Sequence, residues 1–303
     1  MSVDEVVIQF NGNQVFLLNF CLAYIMFGVA LELSLHDFTY ILKNRKSTWA
    51  GLLSQLVALP LLTIVLIWII KPYPSLALGM LLISVCPGGN VSNYAVHLAK
   101  GNTALSVVLT SISTLTSSLQ TPFTFSLLYL FLPDEMKMES SEMSVPFFQM
   151  VETILILMIL PLLLGMSVKQ YFPALQSKIL KSVKITSMLI FIGIIAGGIF
   201  SNWQNIHQHL GKVFFLVVIH NSLALLIGFW IARSFGLPFK DKISISIETG
   251  IQNSGLALVL VFNFFDGIGG MALIAAWWSI WHLISAFSVA YFWRWKQSKT
   301  AKV

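Results

Sequence analysis

Glu248 is a lone carboxylate in an apolar run, and a turn-prone polar cluster follows it at once: Thr249-Gly250-Ile251-Gln252-Asn253-Ser254-Gly255. An ionisable side chain at membrane depth costs about 2.5–3.5 kcal/mol on insertion scales and faces an interior cavity or a partner. No Lys or Arg lies between Lys242 and Arg294, so the same helix supplies no basic partner. Cation binding and proton relay are the two chemistries open to such a group. A second polar break, Cys86-Pro87-Gly88-Gly89-Asn90-Val91-Ser92-Asn93, also follows an Ile/Ser/Val entry, as Glu248 does. Non-helical backbone at membrane depth is tolerated only where protein or a water-filled cavity satisfies it. Pro87 removes an N–H donor and the two glycines loosen the chain. Such a break frees carbonyls, which hold cations, and helix N-termini, which hold anions. One break alone reads as a ligand-free kink, whereas two in matched positions, one with a carboxylate, read as a binding site.

The elements that must carry these breaks are membrane helices. Hydrophobic residues make up 57% of the 303, charged residues only 10%, and the mean hydropathy is +0.83. Soluble domains carry about 25% charged residues, so this chain cannot clothe itself in water. Asp4 and Glu5 precede the first apolar run where a secretory signal would be basic, so no cleaved leader is expected. Cys21 and Cys86 both sit in apolar runs, which predicts buried thiols and no disulfide framework.

Apolar stretches of membrane length predict nine spans, at about 14–34, 48–70, 75–97, 102–132, 146–168, 180–201, 212–234, 241–264 and 268–294. With the N-terminus outside, fifteen Lys and Arg residues fall on the cytoplasmic side, against Lys71, Lys137 and Lys212 outside. That bias satisfies the positive-inside rule and predicts a cytoplasmic C-terminus. The net charge of +6 is therefore a topology signal and gives no reason to invoke nucleic acid. The acidic loop of Asp134, Glu135, Glu139 and Glu142 falls outside and reads as a solvated face.

Each break follows a span with its own polar interruption, Gln55 with Pro60 in one and His220-Asn221 in the other. The two broken spans are the third and the eighth, five places apart, so they cross in opposite directions. The expected fold is thus an all-α integral membrane bundle of inverted-topology repeats with two discontinuous crossing helices.

Three segments resemble the signatures of the bile acid:sodium symporter family: Cys86 to Asn93; Gly101-Asn102-Thr103-Ala104-Leu105-Ser106 with Thr110-Ser111-Ile112-Ser113-Thr114; and Glu248 to Asn253. The resemblance extends to Met26-Phe27-Gly28, Asp37-Phe38, Gln55, His220-Asn221 and Trp281-His282, so it runs through nearly the whole chain. It is to the nine-span form, in which the first helix of the first repeat is missing.

The resemblance implies a sodium-coupled symporter of an organic anion in a plasma (inner) membrane, with no enzymatic cofactor and no obligatory protein partner. It implies a panel domain at about 14–34 and 146–201 and a core domain at about 48–132 and 212–294 of the single 1–303 membrane domain. Two sodium ions are expected per cycle. Ser92, Asn93, Ser106, Thr110 and Glu248 would hold the first; Gln55, Glu248 and Gln252, with the carbonyls of Thr249 and Ile251, would hold the second. Every side chain in that set ends in a hard oxygen donor, and Ser106 and Thr110, four apart, share a helix face. Taken singly, the two hydroxyls would back-bond to their own helix and Gln55 would serve as interhelical glue.

For the substrate, the resemblance points to Asn90, Asn253 and His282, all able to hydrogen-bond a carboxylate or hydroxyl. His282 lies in the aromatic stretch Trp277 to Trp281, where a histidine is more often a packing residue. Leu283 stands where bacterial relatives can carry Asn, and Asn90 where some carry Thr, so the substrate class stays open between a bile acid-like molecule and a small carboxylate such as pantoate. Proton coupling or efflux on the same layout is the near alternative. An ion channel lacks a repeated filter, and an intramembrane hydrolase using Ser254, His220 and His282 lacks a zinc motif or nucleophile elbow.

Overall fold

A computed structural model describes residues 3–5, 7–8, 10–33, 44–137, 146–201 and 210–300. Asp37, Phe38, Lys43, Glu139, Glu142 and Lys302 lie outside the described residues. Within them the chain is helical, with two isolated antiparallel bridges and no extended strand. After a short turn at Val3–Glu5, helix α1 covers Gly12–Ala30 and opens with a reciprocal capping box between Asn11 and Gln14. Helix α2 runs Arg45–Ile70. The third predicted span is two pieces, α3 (Pro74–Val85) and α4 (Val91–Leu98), and α5 covers Thr103–Tyr129. Then come α6 (Phe147–Tyr171), α7 (Pro173–Ser201) and α8 (Leu210–Ser234). The eighth predicted span is again two pieces, α9 (Phe239–Gly250) and α10 (Ser254–Phe264), and α11 covers Gly269–Thr300.

Five helical stretches among the described residues are long and apolar enough to cross a membrane: Gly12–Ala30, Arg45–Ile70, Phe147–Tyr171, Val213–Ser234 and Gly269–Lys299. The halves α3 and α10 are apolar but short. Broken helices fail a length criterion because the break divides their hydrogen-bond ladder. Helix α5 has the length, at 27 residues, but carries a stripe of Ser and Thr.

Burial separates these helices into a centre and a periphery. Every residue of α3 from Ser75 to Val85 is buried, as is every residue of α9 from Ile243 to Gly250. A helix buried on all faces belongs to the middle of a bundle. By contrast α1 exposes Phe16, Leu17 and Phe20, and α6 exposes Phe148, Ile156, Leu160 and Leu163. Large apolar side chains on an outer face suit lipid and would be a liability in water.

Two π-helical turns, unforeseen in the sequence, interrupt α2 at Ser54–Ala58 and α6 at Leu155–Ile159. In each, the residue after the turn donates five positions back, Leu59 to Ser54 and Leu160 to Leu155. A proline follows at once, Pro60 or Pro161. Proline has no N–H and its ring crowds the carbonyl four residues earlier, so the chain widens by one residue ahead of it.

Candidate cation-binding site at the helix crossing

The two breaks meet. Gly88 and Gln252 form an antiparallel bridge. Gly89 N–H donates to the Ile251 carbonyl at 2.9 Å, and Asn253 N–H to the Pro87 carbonyl at 2.8 Å. Backbone groups freed by each break are thus satisfied largely by the other. Side chains meet the last carbonyl of each first half-helix. Thr121 Oγ1 donates to the Val85 carbonyl at 2.8 Å, and Asn221 Nδ2 to the Gly250 carbonyl at 2.6 Å. Close approach requires glycine at this crossing: a Cβ at position 89 would lie 2.9 Å from the Gln252 carbonyl oxygen.

Glu248 lies in the last turn of α9, only 1% exposed. Its Oε1 accepts from Ser92 Oγ at 2.6 Å and from Ser106 Oγ, and its Oε2 accepts from Thr110 Oγ1 at 2.9 Å. Asn93 Oδ1 lies 2.8 Å from Ser106 Oγ and 3.4 Å from Thr110 Oγ1. The five residues expected at a first sodium site therefore form one connected group from α4, α5 and α9. No Lys, Arg or His is ion-paired to Glu248 among the described residues. Each hydroxyl keeps acceptor lone pairs, so rotation about its C–O bond can turn oxygen toward a cation.

The second expected set lies along the crossing. Gln55, in the π turn of α2, donates from Nε2 to the Glu248 carbonyl at 3.4 Å. Gln252 donates from Nε2 to the Thr249 carbonyl at 2.9 Å. The side-chain oxygens of Gln55 and Gln252 are both buried and accept no hydrogen bond among the described residues. A buried acceptor without a donor is costly unless a cation or water meets it. Of the expected backbone ligands, the Ile251 carbonyl is engaged by Gly89 and the Thr249 carbonyl by Gln252, and each retains a second lone pair.

The substrate candidates occupy related places. Asn90 and Asn253 stand at the N-termini of the second half-helices, α4 and α10. Asn253 caps α10 by accepting from Leu256 N–H at 3.0 Å, and its Nδ2 lies 3.9 Å from Met26 Sδ on α1. Asn90 makes no capping bond, and its Oδ1 has no partner among the described residues. His282 is buried on α11, and among the described residues its Nδ1 has no partner and it makes no hydrogen bond to either asparagine. Around it the aromatic stretch packs: Trp278 lies edge-on to His220, and Trp277 and Trp281 lie edge-on to Phe214. The hydrolase candidates do not assemble, since His220 bonds Thr63 and no hydrogen bond joins Ser254, His220 and His282 among the described residues.

Sequence reasoning missed three participants. Ser54 Oγ lies 2.7 Å from Thr249 Oγ1, tying α2 to α9, and Ser113 Oγ accepts from Gly88 N–H at 3.1 Å. Thr121 is the third. A signal existed for two of them: Ser106, Thr110, Ser113, Ser117 and Thr121 recur at three or four residues, one buried polar stripe along α5. Ser54 carries no such signal, because a π turn sets its direction.

Apolar helices that enclose a carboxylate where two broken helices cross define a membrane transport protein. Comparison with known proteins gives the family. Residues 19–209 match the model of the sodium bile acid symporter family. The chain is 31% identical to the uncharacterized sodium-dependent transporter YocS of Bacillus subtilis, over 92% of this chain and 83% of that one. It is 27% identical to a rice chloroplastic protein named a probable sodium/metabolite cotransporter, over 84% of this chain and 62% of that one. It is also 28% identical to the ileal sodium/bile acid cotransporter of Cricetulus griseus, over 80% of this chain and 68% of that one. The chain belongs to the sodium bile acid symporter family.

Proposed function

We propose that this protein is a sodium-coupled symporter of a small organic anion, working by alternating access around the crossing. The observation that carries the proposal is Glu248: a carboxylate 1% exposed, held by three hydroxyls, with no basic partner among the described residues. Three hydroxyls within reach of its oxygens can stabilise an ionised carboxylate, and an ionised buried carboxylate calls for a cation.

Two sodium ions share Glu248 in this reading. Ser92, Asn93, Ser106 and Thr110 complete the first site; Gln55, Gln252 and the carbonyls of Thr249 and Ile251 complete the second. The unpartnered oxygens of Gln55 and Gln252 support the second site, because sodium is a hard cation that takes oxygen donors. The site's charge changes from about −1 empty to about +1 loaded, which favours an anion beside it. Asn90, Asn253 and His282 would contact that anion. By linkage, the anion raises sodium affinity by the same factor that sodium raises anion affinity.

The topology that fits is nine crossings, each broken helix counting once, with the N-terminus outside and the C-terminus in the cytoplasm of a cell bounded by this inner membrane. A panel of α1, α6 and α7 would move against a core of the other helices. Two sodium ions with one monovalent anion carry one positive charge inward, worth about 2.3 kcal/mol per 100 mV. Uptake of labelled pantoate and taurocholate into proteoliposomes, with sodium replaced by potassium, tests the proposal. Full-rate uptake without sodium overturns it, and electroneutral uptake overturns the stoichiometry.

A further inference from the structure

We infer that His220 and Asn221 are positioning residues for the second cation site, setting the separation of its two walls, a role that rests on the reading of that site as a sodium site. Gln55 belongs to α2, whereas Glu248 and Thr249 belong to α9, so the site's dimensions depend on how these two helices are spaced. Adjacent residues of α8 reach one wall each. His220 Nε2 lies 2.7 Å from Thr63 Oγ1 on α2, and Asn221 Nδ2 donates to the Gly250 carbonyl on α9 at 2.6 Å. The Thr63 hydroxyl donates to the Leu59 carbonyl at 2.8 Å, so its lone pairs face the histidine and His220 is the donor.

Both arms act where the backbone is least able to hold itself. Leu59 closes the π turn that carries Gln55, and Gly250 is the last residue of α9 before the break. A π turn ahead of a proline lacks one ladder bond, and a broken end exposes its final carbonyls. His220 and Asn221 are 1% and 0% exposed, so losing either bond leaves a buried polar group unpaired. Consecutive helix positions point about 100° apart, which is the geometry for one short segment to address two neighbours. Outer-shell groups of this kind tune a cation site through the ligands they orient.

The test uses full-length protein purified in detergent, with radioactive sodium alone as the probe. Asn221→Ala and His220→Leu are each expected to weaken sodium binding about tenfold, the lower end for lost outer-shell partners. His220→Gln, whose amide can still donate to Thr63, is expected to restore affinity to within about twofold of wild type. In a Gln55→Ala background, which removes the α2 ligand that the His220–Thr63 arm positions, His220→Leu should not weaken sodium binding further. Unchanged affinity in Asn221→Ala and His220→Leu, or the same His220→Leu loss persisting in the Gln55→Ala background, overturns the positioning role. Thr63→Val keeps the side-chain shape and carries the same expectation as His220→Leu, so the role remains open to refutation where Asn221→Ala does not fold. Failure of the wild-type protein to bind sodium is a separate outcome: it removes the cation site itself and the positioning role with it.

Discussion

Asn253 N–H donates to the Pro87 carbonyl at 2.8 Å, which makes the two broken helices one hydrogen-bonded unit at the middle of the bundle. Neither break would survive alone, because backbone groups left bare in an apolar interior cost several kcal/mol. Their crossing also fixes where Glu248 stands relative to Ser92.

That unit leaves no room for a side chain on its inner face. Gly89→Ala would put a methyl 2.9 Å from the Gln252 carbonyl oxygen, which is backbone and cannot swing aside. Overpacking of this kind costs about 1–3 kcal/mol. The melting temperature in detergent should fall by several degrees. Gly88→Ala meets the movable Gln55 amide at 2.8 Å, and it should weaken sodium binding more than it lowers stability.

Glu248→Gln keeps the volume and removes the charge common to both proposed sites. The variant should fold, while sodium binding at both sites weakens together. Titration with radioactive sodium reads this directly. Retention of one site at wild-type affinity would refute the shared ligand.

Sodium should stabilise the protein where potassium does not. A ligand at one hundred times its dissociation constant adds about 2.7 kcal/mol to the folded state. Melting temperatures in sodium and in potassium, at equal ionic strength, should therefore differ. The difference should vanish in Glu248→Gln, since the hydroxyls alone cannot offset a desolvated ion.

Thr110→Val and Gln252→Leu separate the two sites. Thr110 donates to Glu248 Oε2 at 2.9 Å and belongs to the first set, while Gln252 carries an unpartnered buried oxygen in the second. Each substitution should reduce the number of sodium ions bound near saturation from two toward one. If either abolishes all binding while the fold persists, the sites are not separable.

Asn19 on α1 and Asn263 on α10 exchange amide hydrogen bonds, at 3.2 and 2.9 Å. Interhelical hydrogen bonds in membranes average about 0.6 kcal/mol by double-mutant cycle, with a maximum of about 1.7. A cycle of Asn19→Leu and Asn263→Leu, followed by thermal unfolding, should give a coupling in that range. Zero coupling would show that the pair does not link the two helices energetically.

The sequence alone was enough to reveal a membrane bundle, two breaks and an unpaired carboxylate, because apolar length, Gly/Pro interruption and missing basic residues are local properties. The hydroxyl spacing on α5 likewise marked Ser106 and Thr110 as neighbours on one helix face. What a linear pattern could not hold was the meeting of the breaks, since Pro87 and Asn253 are distant in the chain and only packing pairs their backbones. The roles of Ser54 and Asn221 escaped for the same reason. One is aimed by a π turn and the other acts on a carbonyl of a neighbouring helix. Residue types and spacing thus determined the chemistry available, and the tertiary structure decided which oxygens converge, because convergence depends on helix separation and crossing geometry that no single helix encodes.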